Sequence, residues 1–125
     1  MYQQLDDDVH KVVELTGENI KSKNGLHKIH PHPANHDGFL IIYMNGCSPC
    51  INKAPKIKKL SNMFPKISFY ALEGTTNYIG SSLINGGFPT IRYVLPNGQI
   101  DLSQAVHLDI TDNRLVIKPQ GNQSS

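Results

Sequence analysis

The chain has 125 residues and a mass of 13.9 kDa, the size of one compact domain. Apolar residues make up 38% and charged residues 18%, and no apolar run reaches the ~18 residues of a membrane-spanning helix, so a membrane is excluded as partner. Twelve basic residues against ten acidic ones leave a formal charge of +2, far from the dense positive field that sequence-independent nucleic-acid binding draws on.

The opening stretch, Met1 to Asp8, has neither the basic start nor the apolar centre of a secretory leader, and the expected location is cytoplasmic. Two cysteines are too few to staple a small secreted scaffold, and as Cys47 and Cys50 they are too close to close a long loop. The expected organisation is a flexible N-terminus over residues 1–10, one domain over 11–118 and a flexible tail over 119–125.

Val12-Val13-Glu14-Leu15 reads as a short buried strand, and Thr16 with Glu18 and Asn19 behind it offers the cap of a short helix to about Lys23. Asn24 to Gly38 reads as a loop broken by Asn24-Gly25, Pro31, Pro33 and Asp37-Gly38, with His27, His30, His32 and His36 along it. Phe39 to Met44 is a continuous apolar run, the pattern of a central strand covered on both faces.

Cys47-Ser48-Pro49-Cys50 follows, and then Ile51, Ala54, Ile57, Leu60 and Phe64 at spacings of three and four give a helix with Lys53, Lys56 and Lys59 outward. Pro49 fits its first turn, and Pro55 inside it predicts a kink. A strand over Ile67 to Leu72, a short helix over Tyr78 to Ile84 and a strand over Thr90 to Leu95 come next. Pro96-Asn97-Gly98-Gln99 signals a hairpin with a type I′ turn, returning an antiparallel strand from Ile100. A last short helix is expected over Asp109 to Lys118. Strands alternating with helices predict an α/β domain with a mixed central sheet of about five strands flanked by helices.

A C-x-x-C pair serves either as half a zinc site or as a redox dithiol. Zinc commonly takes two such pairs, or one pair with two closely spaced histidines; a second pair is missing, and the histidine loop is held open by its prolines, so no metal site is assigned. At the start of a helix, free N–H groups and the helix dipole favour a thiolate on the first cysteine, making Cys47 the attacking group. Cys50, one turn in, is expected to stay protonated until Cys47 holds a mixed disulfide, and then to release the substrate.

These residues in this order resemble the thioredoxin family. Cys47-Ser48-Pro49-Cys50 is similar to its active-site motif, Pro55 to its helix-kinking proline, Gly87-Phe88-Pro89-Thr90 to the segment with a cis-proline facing the disulfide, and Pro96 to Gln99 to the hairpin after it. The likeness runs from Val12 to about Leu102. It implies the thioredoxin fold, Cys47 as nucleophile, Cys50 as resolving cysteine, a cis Pro89, and a substrate surface of Gly46, Gly87, Phe88 and Pro89. No bound cofactor is implied: the redox group is the Cys47–Cys50 disulfide, with electrons from an external reductase. The implied partners are protein disulfides and that reductase, and the implied state is a monomer.

Two departures stand out. Gly46 replaces the tryptophan usual before the first cysteine, and Ile41 falls where the family carries a buried aspartate. Pro49 between the cysteines, where isomerases usually have histidine, points toward a reductant. The alternative is a thioredoxin-fold protein-binding module with little or no turnover.

Overall fold

A computed structural model describes residues 1–77 and 81–121. The described strands are β1 (Val13–Glu14), β2 (Ile20–Lys23), β3 (Leu26–Ile29), β4 (Asp37–Tyr43), β5 (Ile67–Glu73), β6 (Thr90–Val94), β7 (Ile100–Thr111) and β8 (Arg114–Pro119), with one α-helix, α1 (Ser48–Met63), between β4 and β5. Six strands form the main sheet in the order β1-β5-β4-β6-β7-β8, while β2 and β3 pair separately. β1 and β4 run parallel to β5, and β6, β7 and β8 follow antiparallel. The result is a mixed α/β fold with a central sheet. No helix among the described residues is long and apolar enough to cross a membrane.

β4 lies between β5 and β6 and is buried from Gly38 to Tyr43, as its unbroken apolar run requires. Its alternate side chains feed two cores. Phe39, Ile41 and Tyr43 pack with Cys50, Ala54, Ile57 and Leu60 of α1, and Leu40 and Ile42 pack with Tyr70, Leu72, Leu83 and Val94 on the other face. α1 continues through Pro55 and buries Ala54, Ile57 and Leu60, but Ile51 is turned out to solvent. Its lysines are not all free in water: Lys56 pairs with Asp109 at 3.0 Å and Lys58 with Asp8 at 2.5 Å.

The helices expected after Thr16 and over Asp109 to Lys118 are not formed. After Thr16 the helical stretch is a single turn, Gly17–Asn19, in which the Thr16 N–H donates to Asn19 Oδ1 at 3.0 Å. The chain then enters β2, turns at Asn24 and Gly25 with φ of +54° and +77°, and returns as β3. Two successive positive φ values are the type I′ signature, so the Asn-Gly pair opens a hairpin here rather than a loop. Ile29 of this hairpin, with Ile20, covers the core face opposite α1.

Asp109 to Lys118 belongs to β7 and β8, joined through Asp112 and Asn113 at φ of +52° and +60°. The β-branched Thr111, Val116 and Ile117 suit a pleated surface better than a helix. Of the helix expected over Tyr78 to Ile84, residues 78–80 lie outside the described residues, and Ser81–Leu83 form one 3₁₀ turn. Of the tail expected over 119–125, Pro119 closes β8 and the Gln120 N–H donates to the Ala105 carbonyl at 2.9 Å, while 122–125 lie outside the described residues. The lead-in over 1–10 places Tyr2 and His10 in the interior, at 2% and 4% exposure.

The β6–β7 connection is also not type I′. Gly98 alone takes positive φ (+91°), and its N–H donates to the Leu95 carbonyl at 2.8 Å. Proline at position 96 fixes φ near −65°, which excludes the first positive φ of a type I′ turn and selects a type I turn followed by a left-handed glycine. The turn docks on the hairpin, with the Ile29 N–H donating to the Gly98 carbonyl at 2.9 Å. A Cβ at Gly98 would lie 2.8 Å from the Ile29 carbonyl oxygen. Gly98→Ala is therefore expected to cost about 2 kcal/mol, from a strained φ and a backbone clash together. Urea unfolding of the two proteins checks it; a cost below about 0.5 kcal/mol would mean that the hairpin yields freely.

Candidate active site

β4 delivers the chain to the end of the sheet, and Asn45-Gly46 turns it into α1. Gly46 has φ of +80°, and the space where a Cβ would stand is open, so glycine here answers a backbone need and leaves the rim bare. The Cys47 N–H closes the turn on the Met44 carbonyl at 3.3 Å. Cys47 is then the N-cap of α1, and its Sγ accepts the Cys50 N–H at 3.4 Å. Pro49 falls in the first turn, where a missing N–H leaves no bond unmade.

The two sulfurs lie 2.6 Å apart, with the Cys50 thiol donating to Cys47. Cys47 is 8% exposed and Cys50 1%. Attack on an outside disulfide therefore falls to Cys47, and closure of the pair needs only a small approach of Sγ to Sγ. Burial, then the hydrogen bond to Cys47, pushes the Cys50 thiol from an ordinary 9.0 up to about 11. Between those values the unfolded chain has released this proton and the folded chain has not, so stability falls as pH rises across the window and is fully present below it. Oxidised protein has no thiol to titrate. The reduced form is expected to lose more stability from pH 9 to about 11 than the oxidised form, as compared by denaturant unfolding of both. Equal losses would show that Cys50 titrates alike folded and unfolded.

Across from the pair, the Phe88–Pro89 peptide is cis, as is His30–Pro31. The Cys47 thiol points at the Phe88 carbonyl, 3.5 Å away. The ring of Phe88 rests on Gly74, where a Cβ would come within 2.7 Å of it, and the space beside Gly87 is open. Cys47 is thus in contact with both Cys50 and Phe88, with Gly46, Gly87 and Pro89 as chain neighbours.

The histidines do not converge. His32 bridges the Tyr70 hydroxyl at 2.6 Å and the His36 carbonyl at 2.7 Å, and His27 meets Ser22 at 2.6 Å. Among the described residues no group of three or more His, Cys, Asp or Glu side chains could hold a metal ion.

No family model and no curated protein matches this sequence. Solved structures do. Thioredoxin F from spinach chloroplast, in its long form, superposes with a TM-score of 0.56 at 20% identity, covering 76% of this chain and 75% of that one. Its short form gives 0.54 at 18% identity over 78% and 83%, and the Trx4 domain of ERdj5 gives 0.51 at 13% over 89% and 82%. The chain has the thioredoxin fold. Within this thioredoxin fold, the Cys pair stands at the start of the helix that follows the central strand, and the cis-proline segment stands opposite.

The sequence does not show how Glu14, Tyr43 and Tyr2 meet behind the pair. Ile41 of β4 is fully buried and apolar, but its sheet row runs through Ala71 of β5 to Glu14 of β1. Paired residues share a face, so Glu14 projects on the side of α1 and Cys50. The Tyr43 hydroxyl donates to Glu14 Oε1 at 2.7 Å, and the Tyr2 ring meets the Tyr43 ring edge-on at 5.5 Å. The visible signal was a lone acid inside the apolar run Val12 to Leu15.

Proposed function

We propose that the chain is a thiol–disulfide oxidoreductase acting on protein disulfides. The observation that carries this reading is the unequal setting of two adjacent sulfurs: one caps a helix at the rim, the other is buried with its proton held to high pH. Cys47 attacks a substrate disulfide, a mixed disulfide forms, and Cys50 then displaces the substrate thiolate and closes the Cys47–Cys50 bond. Gly46, Gly87, Phe88 and Pro89 form the substrate rim. The bare rim at Gly46 and the open space at Gly87 let an extended chain approach the Phe88 backbone, a mode that selects little by side chain.

Electrons return from an external disulfide reductase, with no bound cofactor. The chain works as a cytoplasmic monomer in the reducing direction, as proline rather than histidine beside Cys50 favours. Dithiothreitol-driven reduction of insulin tests the reading. Catalysed turnover supports it, and its absence from folded, fully reduced protein leaves a binding module with an idle dithiol. The direction is tested by the equilibrium potential of the couple. A value near about −270 mV marks a reductant, and one at or above about −180 mV an oxidant or isomerase.

A further inference from the structure

A cleft of about 570 Å³ opens at the end of the sheet far from the cysteines, and the redox reading makes no use of it. The start of β5, Ile67 to Tyr70, lines it, whereas the Cys pair follows the end of β4, which pairs with Glu73 at the end of β5. At ~3.3 Å per residue, the length of β5 puts about 20 Å between the two ends. The volume falls within the range of about 300–1,000 Å³ that small-molecule sites occupy. We propose that this cleft binds a small aromatic carboxylate, with the ring held among prolines and the charge at Lys11.

The cleft exists because β1 is too short to cover its neighbour. It pairs with β5 at two positions, Val13 with Tyr70 and Glu14 with Ala71, and the Lys11 N–H has already left the ladder to donate to Ser61 Oγ at 3.0 Å. The Leu15 N–H donates to the Ala71 carbonyl at 2.8 Å, which fixes the phase of the ladder: odd-numbered residues of β5 turn their backbone polar groups toward β1. The Ile67 N–H is used within the preceding turn, on the Phe64 carbonyl at 3.0 Å. The Phe69 N–H and the Ile67 carbonyl are left on the open edge, and both residues line the cleft.

The walls are apolar and already in place. Pro31 and Pro33 stand on one side of the edge and Pro65 on the other, all exposed, and flat rings of this kind suit the face of an aromatic ligand. His32 holds its wall through both ring nitrogens. The His36 carbonyl can only accept, so Nε2 donates to it at 2.7 Å, and Nδ1 meets the Tyr70 hydroxyl at 2.6 Å. His36 in turn lies 3.5 Å from Ser68 Oγ.

Charge selects the ligand. No Asp or Glu lines the cleft, and among the described residues Lys11 forms no ion pair. A lone cation and an open backbone N–H beside an apolar wall complement a carboxylate, whose two oxygens can take one donor each. An added β-strand fits less well. It draws its affinity from a run of backbone groups, and this edge offers two, between prolines that have no N–H to give.

Amide NMR of the full chain, titrated with 2-naphthoate, tests the proposal without any thiol chemistry, so its outcome is separate from that of the redox reading. Saturable shifts are expected at Val13, Ser68 and Phe69, with Cys47 and Cys50 unmoved and a Kd below about 1 mM. 2-Naphthamide, the same ring without the charge, is expected to bind about tenfold more weakly. Lys11→Gln is expected to weaken naphthoate about threefold to fivefold, as suits an exposed ion pair, and to leave naphthamide unchanged. Val13→Glu places a like charge on the wall at an exposed position and is expected to abolish naphthoate binding, with insulin reduction unaltered in both variants. The comparison of naphthoate with naphthamide needs no variant and decides the matter if Val13→Glu does not fold. Absence of saturable shifts, shifts confined to other parts of the chain, or naphthamide binding as tightly as naphthoate would each overturn the proposal. Tighter binding of the uncharged extended peptide acetyl-Val-Thr-Val-amide at Phe69 would also overturn it, and would mark the edge as a docking place for a strand.

Discussion

Cys47→Ser is expected to bring disulfide reduction down to the uncatalysed background, while Cys50→Ser keeps one attack and stops there. The two substitutions are chemically identical and three residues apart, so the difference tests the geometry. Cys47 is at the rim, with its sulfur on a backbone N–H of the first helical turn and facing the Phe88 carbonyl. Cys50 is nearly inaccessible, and its proton is held to about 11. Losing Cys47 removes the group that meets substrate. Losing Cys50 removes the group that releases it, so the Cys50→Ser protein is expected to accumulate one equivalent of mixed disulfide. Mass spectrometry after acid quenching counts that adduct. Adduct formation by Cys47→Ser at a comparable rate would reverse the two roles, and adduct on neither variant would remove the pair from the chemistry.

The central part of the fold was legible because its signals are local and redundant. The apolar run from Phe39 to Met44, the helical spacing of Ala54, Ile57 and Leu60, and prolines 49 and 96 each constrain the backbone where they stand, although Ile51, counted on the same apolar face, is exposed. The two helices expected after Thr16 and from Asp109 share one error. At Thr16 the capping residues form only one turn, because Asn24-Gly25, eight residues later, folds the chain back as a hairpin. At Asp109 the capping candidates outweighed the β-branched residues, and Asp112-Asn113 was not read as a turn although both residues tolerate positive φ. Caps show where a helix can begin, and the next turn signal decides whether it continues.

The cysteines were legible as a motif, but the Glu14–Tyr43 pair was not. It depends on the register of β1 against β5, which places residues 14, 71 and 41 on one row. Sequence spacing contains no trace of that register. Tyr43, read from sequence as core, is indeed buried, yet its hydroxyl reaches a carboxylate. Burial and a polar bond coexist in one side chain, and the apolar pattern reports only the first.

Arg92 is a buried charged group in the sheet, and Arg92→Ala is expected to destabilise the protein by about 3 kcal/mol. It stands in the middle of β6 at 5% exposure, between Leu40 of β4 and Ala105 of β7. Its Nε–H donates to the Leu83 carbonyl at 2.9 Å, and its two terminal nitrogens donate to the Ser82 and Leu102 carbonyls at 3.4 Å. One planar fork thus ties the 3₁₀ turn before the cis-proline segment to both β6 and β7. Alanine would leave three carbonyls without that donor and a void beside Leu83, which is fully buried. Lysine keeps the charge but has a single point of donation, so Arg92→Lys is expected to recover less than half of the loss. The measurement is the urea midpoint at unchanged slope, so that the shift reports stability alone. The same loosening is expected to raise amide exchange at Leu83 and Thr90, because the turn loses its tie to the sheet while Thr90 still donates to the Gly87 carbonyl at 2.7 Å. A loss below about 1 kcal/mol for Arg92→Ala would mean that water replaces the guanidinium at those carbonyls and that the turn holds its place without it.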